Sequence, residues 1–123
     1  MTTIATVKAS RFGAVATHDG NELLVRFEGD ADANVKAELE PFLDAVHRTA
    51  VANPGASVVV DFQSLAFMSS SCFQDFILWL ERVREAGAPE QYQIAFVSNA
   101  QQHWQRRSLK ALGSFAPGQV VIK

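Results

Sequence analysis

The sequence contains a single cysteine in 123 residues and no long run of apolar residues. One cysteine cannot form an internal disulfide bond, which fits a reducing compartment. No apolar run approaches the ~20 residues of a membrane-spanning helix. The opening MTTIATVKASRF also lacks the apolar core of an export signal. These absences predict a cytoplasmic chain without a transmembrane segment.

An excess of charge of one sign is also lacking, since 11 basic residues stand against 13 acidic ones. A nucleic-acid-binding surface needs a basic excess and exposed stacking aromatics. The small basic group of Arg106, Arg107 and Lys110 falls late in a predicted helix, where cations stabilise the helix dipole. We therefore predict no nucleic-acid partner. The apolar content of 48% and the length suit one globular domain with one core.

The first strong pattern is that of a β-hairpin. Apolar-rich runs at residues 11–17 and 22–28 flank the stretch HDGN. Asp19-Gly20 is a hairpin turn signal, because the turn needs a positive φ that glycine tolerates. Residues 1–10 are expected to be either an N-terminal extension or an additional edge strand. Such a strand would extend the sheet or pair with a second copy in a homodimer.

After the hairpin the apolar period becomes helical. The residues at helical spacing are Val35, Leu39, Phe42, Leu43, Val46 and Ala50. Pro41 removes one backbone hydrogen bond from a helix that contains it beyond the first turn. We therefore expect a short turn before Pro41 and the main helix over residues 40–50.

The segment SVVVDF, residues 57–62, is a continuous β-branched run. Such a run is typical of a strand covered on both faces in a parallel sheet. A second helical stripe follows and consists of Phe73, Phe76, Ile77, Leu80 and Val83. Gly87-Ala88-Pro89 is expected to end this helix.

The rest of the chain repeats the alternation of strand and helix. Residues 92–97 predict a strand, and Val120–Ile122 predict a short final one. Ser98-Asn99 predicts the start of a third helix, which is expected to end at Gly113. The order is therefore β-β-α-β-α-β-α-β, which predicts an α/β fold with a mixed β-sheet and helices packed on it.

Residues 69–71 are three consecutive serines at the predicted start of the second helix. Ser71-Cys72-Phe73-Gln74 matches the capping-box pattern, in which a serine side chain accepts a hydrogen bond from an orphan amide. A helix N-terminus also favours the negative charge of a phosphate. Phosphorylation adds about −1.5 to −2 charges near neutral pH. Capping and switching are compatible roles for Ser71.

A nucleophilic enzyme is a third interpretation of the same stretch. A reactive serine or cysteine needs an adjacent base or a depressed pKa. His18, His47 and His103 belong to no recognisable motif, and the chain has no G-x-S-x-G elbow. Cys72 follows the predicted cap at the edge of the apolar stripe, which predicts a semi-buried structural thiol.

Two acidic residues precede the first helix. Asp30 and Asp32 could ligate a metal ion, but aspartate is common in turns and caps at such places. No further carboxylate or histidine completes a site in the sequence pattern. We predict no metal, no other cofactor and no catalytic residue.

Four stretches together resemble the STAS domain, the fold of bacterial anti-sigma factor antagonists. LLVRFEGDADANVKAELEPFL resembles its second strand, glycine-acidic turn and first helix. VVVDFQSLAFMSSSCF resembles its central strand and D-S-S-G-L helix opening. YQIAFVSNAQQHWQRRSLKALGSF resembles its fourth strand and third helix, and QVVI its last strand. The resemblance implies a single STAS-like domain over residues 11–123.

Members of that family commonly switch partners through phosphorylation of a serine in the D-S-S-G opening. The resemblance implies a partner that is an anti-sigma factor and a serine kinase with a histidine-kinase-like ATPase fold. It also implies that dephosphorylation by a metal-dependent phosphatase restores binding to that partner. The four positions of the opening are Ser69, Ser70, Ser71 and Cys72 here, so Ser71 is the implied phosphoacceptor. Ser69 and Cys72 depart from the family's aspartate and glycine, and Ser69 and Ser70 are therefore further candidates.

The predicted partner-binding surface combines the helix opening, the turn before the first helix and the outer side of the second helix. On a helical wheel Leu78 falls on the polar side and Trp79 at the edge of the apolar stripe. Tryptophan is enriched in binding hot spots; the alternative is that Trp79 covers the core margin. The predicted surface comprises Asp30, Asp32, Ser69, Ser70, Ser71, Cys72, Asp75, Leu78, Trp79 and Arg82.

The sequence thus predicts a non-catalytic regulatory module that binds a protein partner and is switched by serine phosphorylation. The first alternative is a constitutive scaffold or complex subunit of the same fold without phosphorylation. The second is a small-ligand-binding or hydrolytic domain. That alternative requires a deep pocket and a histidine within hydrogen-bond reach of Ser71 or Cys72.

Overall fold

The computed structural model describes residues 1–87 and 91–123. They form a six-stranded sheet whose strands follow one another from edge to edge in chain order. The strands are β1 (Thr2–Lys8), β2 (Phe12–Asp19), β3 (Glu22–Ala31), β4 (Ser57–Met68), β5 (Gln93–Val97) and β6 (Val120–Ile122). The helices are α1 (Lys36–Val51), α2 (Ser70–Glu85) and α3 (His103–Gly113), and a 3-10 turn at Ala33–Val35 precedes α1.

The sheet is mixed, as the sequence predicts. β1, β2 and β3 are antiparallel neighbours, whereas β3 to β6 run parallel and are connected through α1, α2 and α3 as crossovers. The predicted hairpin turn is confirmed, because Asp19 pairs with Glu22 and Gly20 has a φ of 62°. Residues 2–8 pair with β2, so they lie in the same sheet as the hairpin.

One face of the sheet carries the core. Leu23 of β3, Val58 of β4 and Ile94 of β5 are register partners across three strands and are at most 1% exposed. Val59, which points to the opposite face, is half-buried. The prediction that residues 57–62 are covered on both faces is therefore wrong. The β-branched run suits the strand backbone, but its valines alternate between the packed face and the other one.

An aromatic cluster joins the hairpin to the helices. The ring of Phe27 contacts the rings of Phe12, Phe42, Phe62 and Phe76, with centroid separations between 5.4 and 6.1 Å. These residues come from β2, α1, β4 and α2. Because aromatic rings bury large apolar areas and pack best edge to face or offset, this cluster is the centre of the core.

α1 is longer than the predicted helix over residues 40–50. It begins at Lys36 and contains Pro41 in its interior. The side chain of Asp32 caps the preceding 3-10 turn, because its Oδ1 accepts a hydrogen bond from the amide of Asn34 at 2.9 Å, and that turn leads directly into α1. Pro41 and Ala37 are exposed. The carbonyl of Ala37, which loses its helical donor to the proline, can therefore hydrogen-bond to water.

α3 begins later than predicted, because Asn99 forms a local turn instead of a helix start. Its side-chain oxygen accepts a hydrogen bond from the amide of Gln101 at 2.9 Å, and its Nδ2 donates to the carbonyl of Gln63 at 3.0 Å. Such side-chain bonds compete with the helical backbone pattern. The helix starts at His103 and ends at Gly113, the predicted end.

α2 ends at Glu85, ahead of the predicted stop. That stop, Gly87-Ala88-Pro89, lies partly outside the described residues, which exclude Ala88 and Pro89. The predicted strand over residues 92–97 begins at Gln93.

Candidate functional site at the opening of the second helix

The three serines lie where β4 passes into α2. The last residues of β4 pair with the end of β3, since Asp30 lies opposite Phe67 and Ala31 opposite Met68. The amide of Ser69 then donates to the carbonyl of Ala31 at 2.8 Å. The structure therefore brings Asp30 at the end of β3 and the following Asp32 together with the serines at one edge of the domain.

Ser69, rather than Ser71, caps α2. Its backbone is extended, with φ −71° and ψ 161°, and its Oγ accepts a hydrogen bond from the amide of Cys72 at 3.2 Å. The predicted capping box that begins at Ser71 is wrong, because the helix already begins at Ser70 and Ser71 lies in its first turn. The Oγ of Ser71 is 3.1 Å from that of Ser69. The hydroxyl of Ser71 therefore supports the cap instead of forming it.

The three serines differ in exposure. Ser70 is exposed, whereas Ser69 and Ser71 are half-buried. A kinase must bring the hydroxyl of its substrate into its own active site. On exposure alone, Ser70 is the most accessible of the three candidate phosphoacceptors.

Replacing Ser69 by alanine is expected to lower the free energy of unfolding by about 1 kcal/mol, because the amide of Cys72 loses its acceptor. Ser70→Ala is the matched control and is expected to change it by less than about 0.5 kcal/mol, since the residue is exposed. Urea denaturation followed by circular dichroism measures both. Equal losses in the two variants would show that Ser69 is not the cap.

Cys72 is fully buried instead of semi-buried, with 0% exposure. Its thiol donates to the carbonyl of Asp32 at 3.3 Å, which ties α2 to the turn before α1. Burial raises the pKa of the thiol, and a hydrogen bond with Ser69 offsets this in part. A thiol in that state is neutral at neutral pH and a weak nucleophile. Cys72 is thus a structural residue, and the prediction that it contacts a partner is wrong.

Two further members of the predicted partner surface are also buried. Trp79 is 2% exposed, and its indole N–H donates to the hydroxyl of Tyr92 at 2.8 Å. Asp75 is 4% exposed, and its Oδ1 lies 2.5 Å from the Nζ of Lys36. The prediction that these two side chains belong to an exposed partner surface is wrong, because Asp75 is paired with Lys36 of α1 and Trp79 packs against Phe96 of β5. The alternative, that Trp79 covers the margin of the core, agrees with its burial. The hydrogen bond with Asp75 raises the pKa of Lys36.

The remaining predicted residues lie at or near the surface. Leu78 is 48% exposed, as its position on the helical wheel predicts. Arg82 is exposed and donates to the carboxylate of Asp44 on α1 at 2.9 Å. Asp30 and Asp32 are half-buried beside the serines.

Comparison with solved structures assigns the fold. An anti-sigma factor antagonist from Mycobacterium paratuberculosis superimposes with a TM-score of 0.63 at 18% identity, over 90% of this chain and 88% of that one. An uncharacterised protein from Shewanella loihica with a SpoIIAA-like fold gives a TM-score of 0.59 at 12% identity, over 97% of this chain and 90% of that one. The chain has a STAS-like fold. No protein-family model and no curated protein matches the sequence.

The resemblance read from the sequence motifs is therefore confirmed at the level of the fold. The STAS-like domain contains, within residues 1–87 and 91–123, no helix long and apolar enough to cross a membrane. Over the same residues, no group of three or more histidine, cysteine, aspartate or glutamate side chains is placed to hold a metal ion.

Phe67 is a surface residue that sequence reasoning missed. Its side chain is 48% exposed at the end of β4, two residues before the cap of α2. The alternation of buried positions along β4 breaks at Gln63 and Ser64, where the register with β3 shifts. A prediction that assumes strict alternation of inward and outward side chains fails beyond such an irregularity. An exposed phenylalanine therefore lies beside the serines of the STAS-like domain.

Gln105 is a second residue whose role the sequence pattern does not reveal. It positions the end of β4. It is fully buried in α3, and its Nε2 donates to the carbonyls of Phe62 and Leu65 at 2.7 and 2.9 Å. Its Oε1 accepts from the amide of Asn99 at 2.8 Å. These bonds satisfy backbone groups where β4 leaves regular pairing. They hold the segment that leads to Phe67 and the serines.

Proposed function

We propose that this STAS-like domain is a non-catalytic regulatory module, that it binds a protein partner at the opening of α2, and that phosphorylation of a serine there releases the partner. The observation that carries the proposal is the exposed hydroxyl of Ser70 at the N-terminus of α2, with the exposed ring of Phe67 nearby. The fold shared with an anti-sigma factor antagonist supports a protein as the partner.

The position of the serines favours a switch that acts on binding rather than on folding. A phosphate on Ser70 or Ser71 would add about −1.5 to −2 charges near neutral pH. The helix N-terminus stabilises negative charge, so the domain would stay folded. A partner that covers Phe67 must remove water from the same surface, and desolvating a phosphate beside it is costly. Phosphorylation would therefore weaken binding.

The proposed partner is an anti-sigma factor that is also a serine kinase with an ATPase fold, acting in the bacterial cytoplasm. Of the serines, Ser71 is the position that the family resemblance implies, and Ser70 is the more exposed one. The surface consists of Phe67, Ser70 and Ser71, with Asp30 and Asp32 at its border and Leu78 and Arg82 further along α2.

Partner capture from the native lysate tests the switch. We expect the wild-type domain to recover an ATPase-type kinase or anti-sigma protein, and Ser71→Asp or Ser70→Asp to recover at least about tenfold less, equivalent to about 1.4 kcal/mol of binding free energy. Gln93→Glu is the control, because it adds one negative charge at the opposite end of the sheet, where β5 begins. Phosphosite mapping of the native protein identifies the acceptor.

One observation favours a constitutive scaffold as the alternative. The hydroxyl of Ser71 is half-buried and lies 3.1 Å from the capping oxygen of Ser69, which suits a purely structural serine. Undiminished capture of the same partner by both aspartate variants, together with the absence of phosphate in the native protein, would establish that alternative. Loss of capture with Phe67→Ala would still place the interface at the opening of α2.

A hydrolytic domain is not favoured by the contacts of these side chains. Among the described residues, the hydrogen bonds of the Ser71 hydroxyl and the Cys72 thiol go to Ser69 and to the carbonyl of Asp32. Neither contact supplies the general base that a serine or cysteine nucleophile needs.

A further inference from the structure

A groove of about 390 Å³ lies between α1 and α2. This volume falls within the range of pockets that take small ligands. Its apolar wall is formed by Leu43, Leu78 and Trp79. Leu78, which lies at the far end of the proposed partner surface, is the exposed part of that wall.

Negative charge dominates the rest of the lining. The charged residues of the groove are Glu40, Asp44, Asp75, Glu81, Glu85 and Arg82. Arg82 is already engaged by Asp44, which also pairs with Arg48 at 3.0 Å. The hydrogen bond from Arg82 holds the pKa of Asp44 below its ordinary value.

Three of the carboxylates form no salt bridge with a described residue, namely those of Glu40, Glu81 and Glu85. The groove therefore carries a net negative charge, which would attract a cation.

Asp75 gives a separate and more specific indication that the groove binds a hydrogen-bond donor. Its side chain is 1% exposed, and Lys36 binds its Oδ1. Its Oδ2 is buried and has no hydrogen-bond partner among the described residues. A buried carboxylate oxygen without a donor is costly, and native structures rarely leave one unsatisfied. Asp75 lines the groove, so an N–H donor that enters between α1 and α2 at this residue would supply the missing hydrogen bond.

The chemistry of the lining selects an organic cation rather than a metal ion. The described residues contain no group of three or more acidic, histidine or cysteine side chains placed to hold one metal ion. The carboxylates are instead spread along a groove with an apolar wall. Such a site suits an aliphatic chain with a charged end, since the chain can pack on leucine and tryptophan while the end reaches a carboxylate.

We propose that this groove binds an alkyl chain that ends in an ammonium or guanidinium group. The charged end donates to Oδ2 of Asp75, and the chain packs against Leu78 and Trp79. A free amine and a lysine or arginine side chain of another protein share this chemistry. The inference does not depend on the serine switch, because no candidate phosphoacceptor lines the groove.

Nuclear magnetic resonance titration of the full chain tests the proposal. The probes are agmatine, a capped Gly-Arg-Gly peptide and n-butylurea as an uncharged analogue. We expect agmatine to shift the indole N–H signal of Trp79 saturably and n-butylurea to leave it unchanged. Trp104→Phe assigns the signal, because the chain has two tryptophans. Saturable binding of the peptide as well would indicate a protein side chain as the source; binding of agmatine alone would indicate a free amine.

Variants separate a specific site from general charge attraction. Asp75→Asn is expected to weaken agmatine binding about tenfold, the effect of losing one charge-assisted hydrogen bond. Glu81→Gln tests the groove if Asp75→Asn does not fold. Glu28→Gln is the matched control, since it removes one exposed negative charge on β3. The absence of saturable shifts with both cationic probes, or equal weakening by Glu28→Gln, would overturn the proposal.

Discussion

Gly29→Ala is expected to destabilise the domain by at least about 3 kcal/mol. Gly29 has a φ of 84°, a conformation that costs an alanine energy. A Cβ at this position would also lie 2.1 Å from the carbonyl oxygen of Arg11. That oxygen accepts the amide of Asp30 at 2.7 Å, so it cannot move without breaking this hydrogen bond.

Gly20→Ala is the matched control for this prediction. Gly20 also has a positive φ, 62°, but a Cβ there would meet no atom within 4 Å. We expect it to cost only the conformational penalty, about 1 kcal/mol. Urea denaturation of both variants measures the difference. Similar losses would mean that the close approach between Gly29 and Arg11 relaxes at little cost.

Phe27→Ala is expected to lower the free energy of unfolding by about 3 to 5 kcal/mol. The side chain is 2% exposed at the centre of the aromatic cluster and contacts rings from two strands and two helices besides its own strand. Its removal leaves a cavity that rigid neighbouring rings cannot fill, and the transfer and cavity terms add.

Phe67→Ala is the control for Phe27→Ala, because it removes a phenylalanine from the surface instead of from the core. This phenylalanine is 48% exposed, so its removal is expected to change stability by less than about 0.5 kcal/mol. Urea denaturation gives the stability of both variants. A loss of several kcal/mol in Phe67→Ala, or a small loss in Phe27→Ala, would contradict the assignment of one ring to the core and the other to the surface.

Local chemistry accounts for the parts of the fold that the sequence predicts well. The hairpin turn at Gly20 and Asn21 needs only the positive φ of one glycine, so a short stretch of sequence suffices to place it. The order of strands and helices after the hairpin follows from the change of apolar period, and Leu78 is exposed as the helical period requires. These features depend on neighbours in the chain, which the sequence displays directly.

The wrong predictions of where α2 and α3 begin have a common cause. Ser69, Ser70 and Ser71 are chemically identical as candidate caps, and their order along the chain does not say where the helix begins. The pairing of the Ser69 amide with Ala31 selects Ser69, because it keeps that residue extended at the end of β3. The start of α3 is delayed in the same way by the bond between Asn99 and Gln63.

The sequence by itself determined the α/β alternation, the hairpin, the mixed sheet and the presence of serines at the start of a helix. The tertiary structure alone decided which serine caps the helix, that Cys72, Asp75 and Trp79 lie inside, and that Phe67 lies outside. The physical reason is that exposure depends on which elements pack together. Asp75 is covered where Lys36 of α1 binds it, and Trp79 is covered where it packs against Phe96 of β5, so both contacts join residues far apart in the chain.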